Sequence, residues 1–470
     1  MSPATEQHTT EPARAGSLRR HLGLADVTAI HVGNILGSGI FVAPAAVALS
    51  FTGASGVVPW LVGGLIATCG ALVYAEAGVR LPEAGGFYVI YRRIFGEPVA
   101  FVGGWAALLV TYPASIAAIA IIFSSYLGEV VPSLAGVPLL AAGGALVLVA
   151  ASNVSGLRFA AQAQRLLTGS KVLALAIVCI AAIAAGLSGA GGAHEAPAGA
   201  PPPGAASPVS SLSAILGVLV VVLWTYDGWS DINMIAGEVR RPGRVLVPAV
   251  ILGSGVLFVV YLTVQAAVGL LLSPARAGAS DRVLAEAVEA GLGAGSGRVV
   301  AALVVLATFG SVHGIILAAS RLGYAMARDR VFFAWFGQVH PVFGTPARAI
   351  GVLSAASLFY VFASGFRDLL AFFSFTVWLF YGLTASGLIL LRRRRIGDAG
   401  AWHVPGASIA PYVLILVGVA MSGSLLIENP LRSLTGLALL LAGFPIHALW
   451  RRLFPPEAAN GVIGGDAAGG

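Results

Sequence analysis

The sequence predicts an all-α polytopic membrane protein with twelve transmembrane helices. Hydrophobic residues make up 58% of the 470 residues and charged residues only 10%, whereas a soluble chain carries about 25% charged residues. The mean hydropathy is +0.90. Apolar runs of about 20 residues, the length that crosses a bilayer as a helix, recur along the whole chain. These observations exclude a soluble globular fold.

The predicted spans follow one another with short connections. A polar tail, residues 1–23, precedes a membrane domain at residues 24–454, and residues 455–470 are small and polar, which predicts a disordered cytoplasmic tail. The membrane domain divides into a first repeat at 24–189, a second repeat at 212–391 and two extra helices at 407–450. The predicted spans are about 24–50, 57–81, 99–127, 136–152, 166–189, 212–236, 246–272, 298–320, 347–364, 368–391, 407–427 and 432–450.

The basic residues predict the orientation of these spans. If the N-terminus is cytoplasmic, 21 of the 27 basic residues lie in cytoplasmic segments, as the positive-inside rule requires. The exceptions are Arg276, Arg282, Arg298, Arg367 and Arg432 outside, and Lys171 within a span. We therefore expect both termini in the cytoplasm, and we attribute the net charge of +7 to topology rather than to nucleic-acid binding.

Two of the predicted outer loops are long. Ala190 to Ser211 is rich in Ala, Pro and Gly, which predicts a flexible connector. Leu272 to Gly297 contains a run with helical spacing, which predicts a short surface helix over the entrance.

The first span contains glycines at positions where a stable helix would have residues that favour helix formation. Gly37, Ser38 and Gly39 stand in its middle, although Gly costs roughly 1 kcal/mol relative to Ala in a helix interior. A broken backbone in a bilayer is tolerated only where it lines a cavity or is covered by protein. We interpret this segment as an unwound point whose free amides face an anionic group; the alternative is close helix packing through small residues.

The sixth span carries an acid. Asp227 stands between Trp224 and Trp229, and a charge at mid-membrane costs at least ~2.5–3.5 kcal/mol, so it should face a cavity or a partner. It would either contact a substrate or cap the second half of a broken helix. Breaks in the first and sixth spans are the pattern expected of two five-span repeats of inverted topology, interrupted at the substrate site.

Several motifs together point to a known superfamily. The sequence resembles the amino acid–polyamine–organocation superfamily, most closely the L-type amino acid transporters and their bacterial relatives. The resemblance covers residues 22–450 and rests on Gly37-Ser38-Gly39-Ile40-Phe41, Pro82-Glu83-Ala84-Gly85-Gly86, Pro113-Ala114-Ser115, Tyr226-Asp227-Gly228-Trp229, Gly237-Glu238-Val239-x-x-Pro242 and Phe309-Gly310-Ser311-Val312-His313-Gly314.

The resemblance implies a carrier of amino acids that works by alternating access. The substrate carboxylate would bind amides at the first break, and its ammonium would meet backbone carbonyls near Ile35 and at the second break. Trp224 matches an aromatic gate, and Ser230 stands where carriers of cations tend to have an acid, which favours neutral substrates. The expected substrate-binding residues are Ile35, Gly37, Ser38, Gly39, Ile40, Trp224, Tyr226, Asp227, Ser230, Ser311 and His313.

Lys171 is the only lysine of the chain and falls in the fifth span. Snorkelling at a span end would explain it without function. The resemblance instead implies a coupling role, in which its ammonium replaces the sodium ion that links the first and eighth spans of sodium-coupled relatives. We therefore expect transport to be independent of sodium.

Two histidines lie near these sites. His31 precedes the first break, and His313 falls in the eighth span. The superfamily pattern has Asn or an apolar residue there, so a buried neutral ring with one hydrogen bond is the simpler interpretation. Proton coupling is the alternative, because His titrates near neutral pH.

No enzyme, ATPase or metal-site motif is present in the sequence. We therefore predict a transporter without cofactor or metal, working by exchange or by proton-linked uptake, with a polyamine or organic-cation carrier and a non-transporting substrate sensor as alternatives. The resemblance implies a heavy chain attached through a Cys after the third span, but residues 128–135 contain none. We expect a monomer or weak homo-oligomer in a bacterial-type inner (plasma) membrane.

Overall fold

The computed structural model describes most of the chain. The predicted tails up to residue 19 and from residue 455, and the connector at 190–211, lie outside the described residues. The described residues are 20–51, 53–155, 157–189, 212–280, 282–363, 366–397, 408–428 and 430–454.

The described residues are predominantly helical. The first half of the chain forms α1 (Leu24–Ile35), α2 (Ala43–Ser50), α3 (Val58–Arg80), α4 (Phe87–Ile94), α5 (Glu97–Ala106), α6 (Tyr112–Val130), α7 (Pro138–Val154) and α8 (Leu157–Leu187). A π-helical turn at Ala107–Thr111 joins α5 to α6.

The second half repeats this use of long helices and short pieces. Its helices are α9 (Leu212–Thr225), α10 (Asp231–Met234), α11 (Pro242–Leu271), α12 (Pro274–Ala279), α13 (Val283–Leu292), α14 (Ser296–Arg328), α15 (Ala347–Ala363), α16 (Phe366–Arg393), α17 (Ala410–Glu428), α18 (Pro430–Leu441) and α19 (Gly443–Leu453).

Within the described part of the chain, eight helical stretches are long and apolar enough to cross a membrane. Three shorter apolar helices accompany them, among them α7 and α15. The prediction of an all-α polytopic membrane fold is confirmed. The number of twelve spans, the two inverted repeats and the repeat boundaries stay predictions.

Both predicted breaks are present. Helix α1 ends at Ile35, a 3₁₀ turn covers Gly39–Phe41, and α2 begins at Ala43. In the sixth span α9 ends at Thr225 and α10 begins only at Asp231. Gly228 has a φ of +117° in the gap, a conformation that L side chains rarely adopt. The chain therefore leaves the helical path twice at the same depth of the bundle.

Helix α1 lies in the core of the bundle, where it packs against α8, α11 and α14. Helix α14 buries residues along most of its length, from Val300 to Ala327. The segment predicted as one surface helix forms two, α12 and α13. Helix α12 packs on α2, and α13 buries one face against α8, α11 and α14.

A buried ion pair lies at the end of the bundle where Leu22 and Val239 form a backbone bridge. Arg321 Nε of α14 donates to Glu238 Oε1 at 2.7 Å, and both side chains are 0% exposed. The amides of His21 and Leu22 donate to the Glu238 carbonyl at 2.9 and 3.0 Å. The chain before α1 is thereby attached to the segment that follows α10.

The Glu238–Arg321 pair should contribute strongly to stability. Glu238→Ala leaves a buried guanidinium without its carboxylate, and breaking a buried pair costs about 3–5 kcal/mol. We expect a clearly lower midpoint of thermal unfolding in detergent. Glu129→Ala, which breaks the exposed pair with Arg282, serves as the control, since exposed pairs contribute about 0–1 kcal/mol. Equal midpoints for the two variants would contradict the role of the buried pair.

Candidate functional site

A cavity lies between the two breaks. Helices α3, α6, α14 and α16 complete its wall, with Tyr74, Tyr112, Ile315 and Tyr381 among the lining residues. The structure brings seven of the predicted site residues to this wall: Ile35, Gly37, Ser38, Gly39, Trp224, Asp227 and Ser230.

The other four predicted residues do not line this cavity. Ile40 is fully buried. The Tyr226 side chain extends towards α3 instead, where its hydroxyl donates to the carbonyl of Trp60 at 3.3 Å. Ser311 lies beside Lys171, and His313 contacts polar side chains of α7 and α8 instead.

The first break leaves three consecutive amides unpaired. The Gly37 amide donates to the Ile35 carbonyl at 2.7 Å, but the amides of Ser38, Gly39 and Ile40 have no backbone acceptor among the described residues. Within the described ranges the Ser38 hydroxyl also has no hydrogen-bond partner, although the residue is only 1% exposed. Consecutive free amides form a concave site that favours an anion.

Three carbonyls of the same break accept hydrogen bonds from side chains. Lys171 Nζ donates to the carbonyls of Gly33 and Leu36, both at 2.7 Å. Tyr261 of α11 reaches both breaks, with its hydroxyl 3.1 Å from the carbonyl of Ile35 and 2.9 Å from that of Thr225. The carbonyls of Gly33, Ile35 and Leu36 are thus satisfied by side chains, whereas the three amides remain free within the described part of the chain.

Lys171 lies inside the protein rather than at a span end. It is 1% exposed, which excludes snorkelling. Besides the two carbonyls of the break, its ammonium lies 3.3 Å from Ser311 Oγ and 3.4 Å from the carbonyl of Ala307, both on α14. One cation thus connects the broken first span to the helix beside it through four oxygen atoms.

The two breaks touch at Gly39. A Cβ at this position would lie 2.7 Å from the Cα of Thr225 and 2.8 Å from its Oγ1. Real side chains do not approach backbone so closely, so only glycine lets the first break meet the end of α9.

The sixth span places two carboxylates on the cavity wall. Asp227 accepts a hydrogen bond from the hydroxyl of Tyr381 on α16. The alternative in which Asp227 caps the second half-helix is wrong, because the N-cap position of α10 is Ser230, whose side chain forms no cap. Asp231 accepts from Asn34 Nδ2 at 2.8 Å and from the Tyr112 hydroxyl at 3.0 Å.

Sequence reasoning missed Asp231 as a site residue. The sequence feature that could have indicated Asp231 is its position as a second acid in the same broken span, four residues after Asp227.

The two histidines lie beside the cavity rather than in it. His31 Nε2 is 3.4 Å from Ser254 Oγ, a single polar contact as predicted. The His313 ring has two contacts, with Nδ1 3.0 Å from Gln164 Oε1 and Nε2 3.2 Å from Ser152 Oγ. A role in proton coupling stays a prediction for both.

Comparison with known proteins identifies the family. Residues 22–436 match the family described as amino acid permease. The chain belongs to the amino acid permease family. The permease is therefore a membrane transporter and not an enzyme, and the superfamily predicted from the motifs is confirmed.

The curated relatives agree along nearly the whole length. The permease is 31% identical over 459 residues to large neutral amino acids transporter small subunit 2 of Mus musculus, covering 95% of this chain and 84% of the relative. It is 32% identical over 438 residues to b(0,+)-type amino acid transporter 1 of Homo sapiens, covering 90% of this chain and 85% of the relative.

A methyl group at Gly39 should disable the permease. Gly39→Ala forces the first break away from Thr225, so we expect transport in proteoliposomes to fall by at least about tenfold, a barrier increase of ~1.4 kcal/mol. Gly144→Ala is the matched control, because a Cβ there meets open space on α7, and its transport should equal the wild type. Normal transport by monodisperse Gly39→Ala would show that the two breaks need not meet.

Proposed function

We propose that this permease is a sodium-independent secondary transporter that moves amino acids by alternating access, in exchange or with proton-linked uptake. The observation that carries the proposal is the Lys171 ammonium, which lies among four oxygen atoms between the first break and α14. Family membership supports the amino acid as cargo.

The free amides at Ser38, Gly39 and Ile40 are the proposed site for the substrate carboxylate. They lie at the start of a short turn whose peptide dipoles favour negative charge. The Ser38 hydroxyl adds a further donor within the same segment. Binding of a carboxylate would give partners to groups that a bilayer-embedded protein cannot leave unpaired without cost.

Lys171 supplies the positive charge that a bound sodium ion would otherwise bring. Carbonyl and hydroxyl oxygens are the ligands that hard cations prefer. The Lys171 ammonium donates to such oxygens, and it cannot dissociate from them because it is part of the chain. A charge that is covalently attached to α8 needs no ion gradient to stay in place. Transport therefore requires no sodium.

The range of amino acids follows from the rest of the wall. Ser230 at the cavity favours neutral substrates, and the name of one relative specifies large neutral amino acids. Trp224 lines the same cavity and is the proposed gate. Asp227 also lines the cavity, and its carboxylate supports the alternative of an organic-cation carrier.

The permease is proposed to act without a disulfide-linked heavy chain, although the name of one relative designates it a small subunit. Cys69 lies in α3 and Cys179 in α8, and residues 128–135 contain no cysteine. We place it as a monomer or weak homo-oligomer in the plasma membrane with both termini cytoplasmic, on the distribution of its arginines.

Removal of the Lys171 ammonium tests the proposal. Uptake by the wild type should be the same in sodium and in choline buffer, and Lys171→Ala should lower it strongly in both. The Ser311 hydroxyl lies 2.9 and 3.0 Å from the carbonyls of Gly33 and Leu36, but it has one hydrogen and cannot replace the ammonium at both. Ser170→Ala, the exposed neighbour on the same helix, is the control and should transport normally. A steep rise of wild-type uptake with sodium, or full activity of Lys171→Ala, would refute the fixed-cation role.

A further inference from the structure

The predicted third span contains a π-helical turn on the cavity wall. Helix α5 ends at Ala106 and α6 begins at Tyr112, and the residues between them, Ala107–Thr111, form the turn. The Tyr112 amide donates to the carbonyl of Ala107, five residues earlier. Such turns are rare within helices and lie frequently at functional sites. The motif Pro113-Ala114-Ser115 follows the turn directly.

The turn decides which side chains of this span face the cavity. A π-helical turn contains one residue more than an α-helical turn, and one residue corresponds to about 100° of rotation around the helix axis. Ala107 and Thr111 line the cavity from the turn, and Tyr112 and Ser115 line it from the start of α6. Conversion of the turn to a regular α-helix would therefore rotate part of this wall out of place.

Pro113 explains why the turn needs a partner from outside its own helix. In an α-helix the carbonyl of Leu109 would accept from the N–H of residue 113, but proline has none. A carbonyl without a donor is costly inside a bilayer. The Tyr360 hydroxyl of α15 donates to this carbonyl at 3.1 Å. A side chain of another helix thus replaces the hydrogen bond that Pro113 removes.

Tyr360 reaches the turn from outside the cavity. Its side chain is half-buried where α15 packs on α6 and on the turn. Neither Tyr360 nor Leu109 is among the described residues that line the cavity. An effect of Tyr360 on substrate binding must therefore be transmitted through the position of the turn.

The turn lies where the side chain of a substrate would bind. Under the proposed function the α-carboxylate binds the free amides of the first break, so the wall formed by other helices is left for the side chain. The turn contributes Ala107 and Thr111 to that wall, and the following part of α6 contributes Ser115 and Ile119. The small side chains leave space that a long substrate side chain can fill, whereas a methyl group does not extend so far.

We propose that Tyr360 is a positioning residue whose hydrogen bond to the Leu109 carbonyl holds the π-helical turn as the wall that binds the side chain of a large neutral amino acid. The proposal rests on the proposed function, since the carboxylate must bind at the first break. Tyr360 contributes to the affinity for large substrates, and it acts on the turn rather than on the two breaks.

Removal of one hydroxyl tests the proposal. Tyr360→Phe should raise the apparent KM for leucine uptake in proteoliposomes by at least about fivefold, ~1 kcal/mol, the contribution of one hydrogen bond. The maximal rate and the KM for alanine, whose side chain is too short to reach the turn, should be nearly unchanged. Tyr412→Phe, which removes the hydroxyl of an exposed tyrosine on α17, is the matched control and should transport normally.

A second variant tests whether the Leu109 carbonyl transmits the effect. Pro113→Ala restores an N–H in the position that an α-helix uses for this carbonyl, so the Tyr360 hydroxyl is no longer its necessary donor. In the Pro113→Ala background, Tyr360→Phe should change the KM for leucine by less than about twofold, because two residues that share one partner are coupled. If Tyr360→Phe alone is not monodisperse, the double variant should be, with the KM of Pro113→Ala.

The other outcomes contradict the proposal. An unchanged KM for leucine in folded Tyr360→Phe, or an equal rise for leucine and alanine, would show that the turn does not bind the substrate side chain. The same rise in both backgrounds, or failure of both variants to fold, would exclude the Leu109 carbonyl as the link. A fall in the maximal rate alone would place Tyr360 in the moving scaffold. Failure of the proposed function looks different, since wild-type uptake would then depend on sodium or be absent.

Discussion

The peptide groups left unpaired by the break in the first membrane helix determine which groups must surround that break. Inside a bilayer each such group must be bonded within the protein or face a polar cavity. The carbonyls of Gly33 and Leu36 receive the Lys171 ammonium, and the carbonyl of Ile35 receives the Tyr261 hydroxyl. The amides of Ser38, Gly39 and Ile40 have no such partner among the described residues. These free amides support the proposal that the break binds an anion.

The packing around α1 serves the same break. A Cβ at Gly33 would lie 2.0 Å from Gln164 Nε2, and one at Gly314 would lie 1.8 Å from Asn34 Oδ1. Glycine at these positions lets α1 approach α8 and α14 closely enough for Lys171 and Asn34 to form their hydrogen bonds. Because α1, α8 and α14 are joined by one cation, movement of the break relative to α14 must change the surroundings of that cation.

The first break and Lys171 could be predicted because their signals are local. Gly37 and Gly39 lie within three consecutive residues of one apolar span, and the only lysine of the chain lies in another. The partners of the two aspartates could not be predicted, because they come from distant segments; Asn34 and Asp231 are 197 residues apart. For the same reason adjacency misled for Tyr226 and His313, which share a motif with site residues but extend away from the cavity.

A substrate-bound structure tests the central claim most directly, namely that the free amides of the first break bind the substrate carboxylate. Cryo-electron microscopy of the permease with the amino acid that competes best for uptake would locate that group. The account predicts a carboxylate oxygen within about 3.2 Å of the amide nitrogens of Ser38, Gly39 or Ile40. A carboxylate bound elsewhere on the wall, with these amides still unpaired, would contradict it.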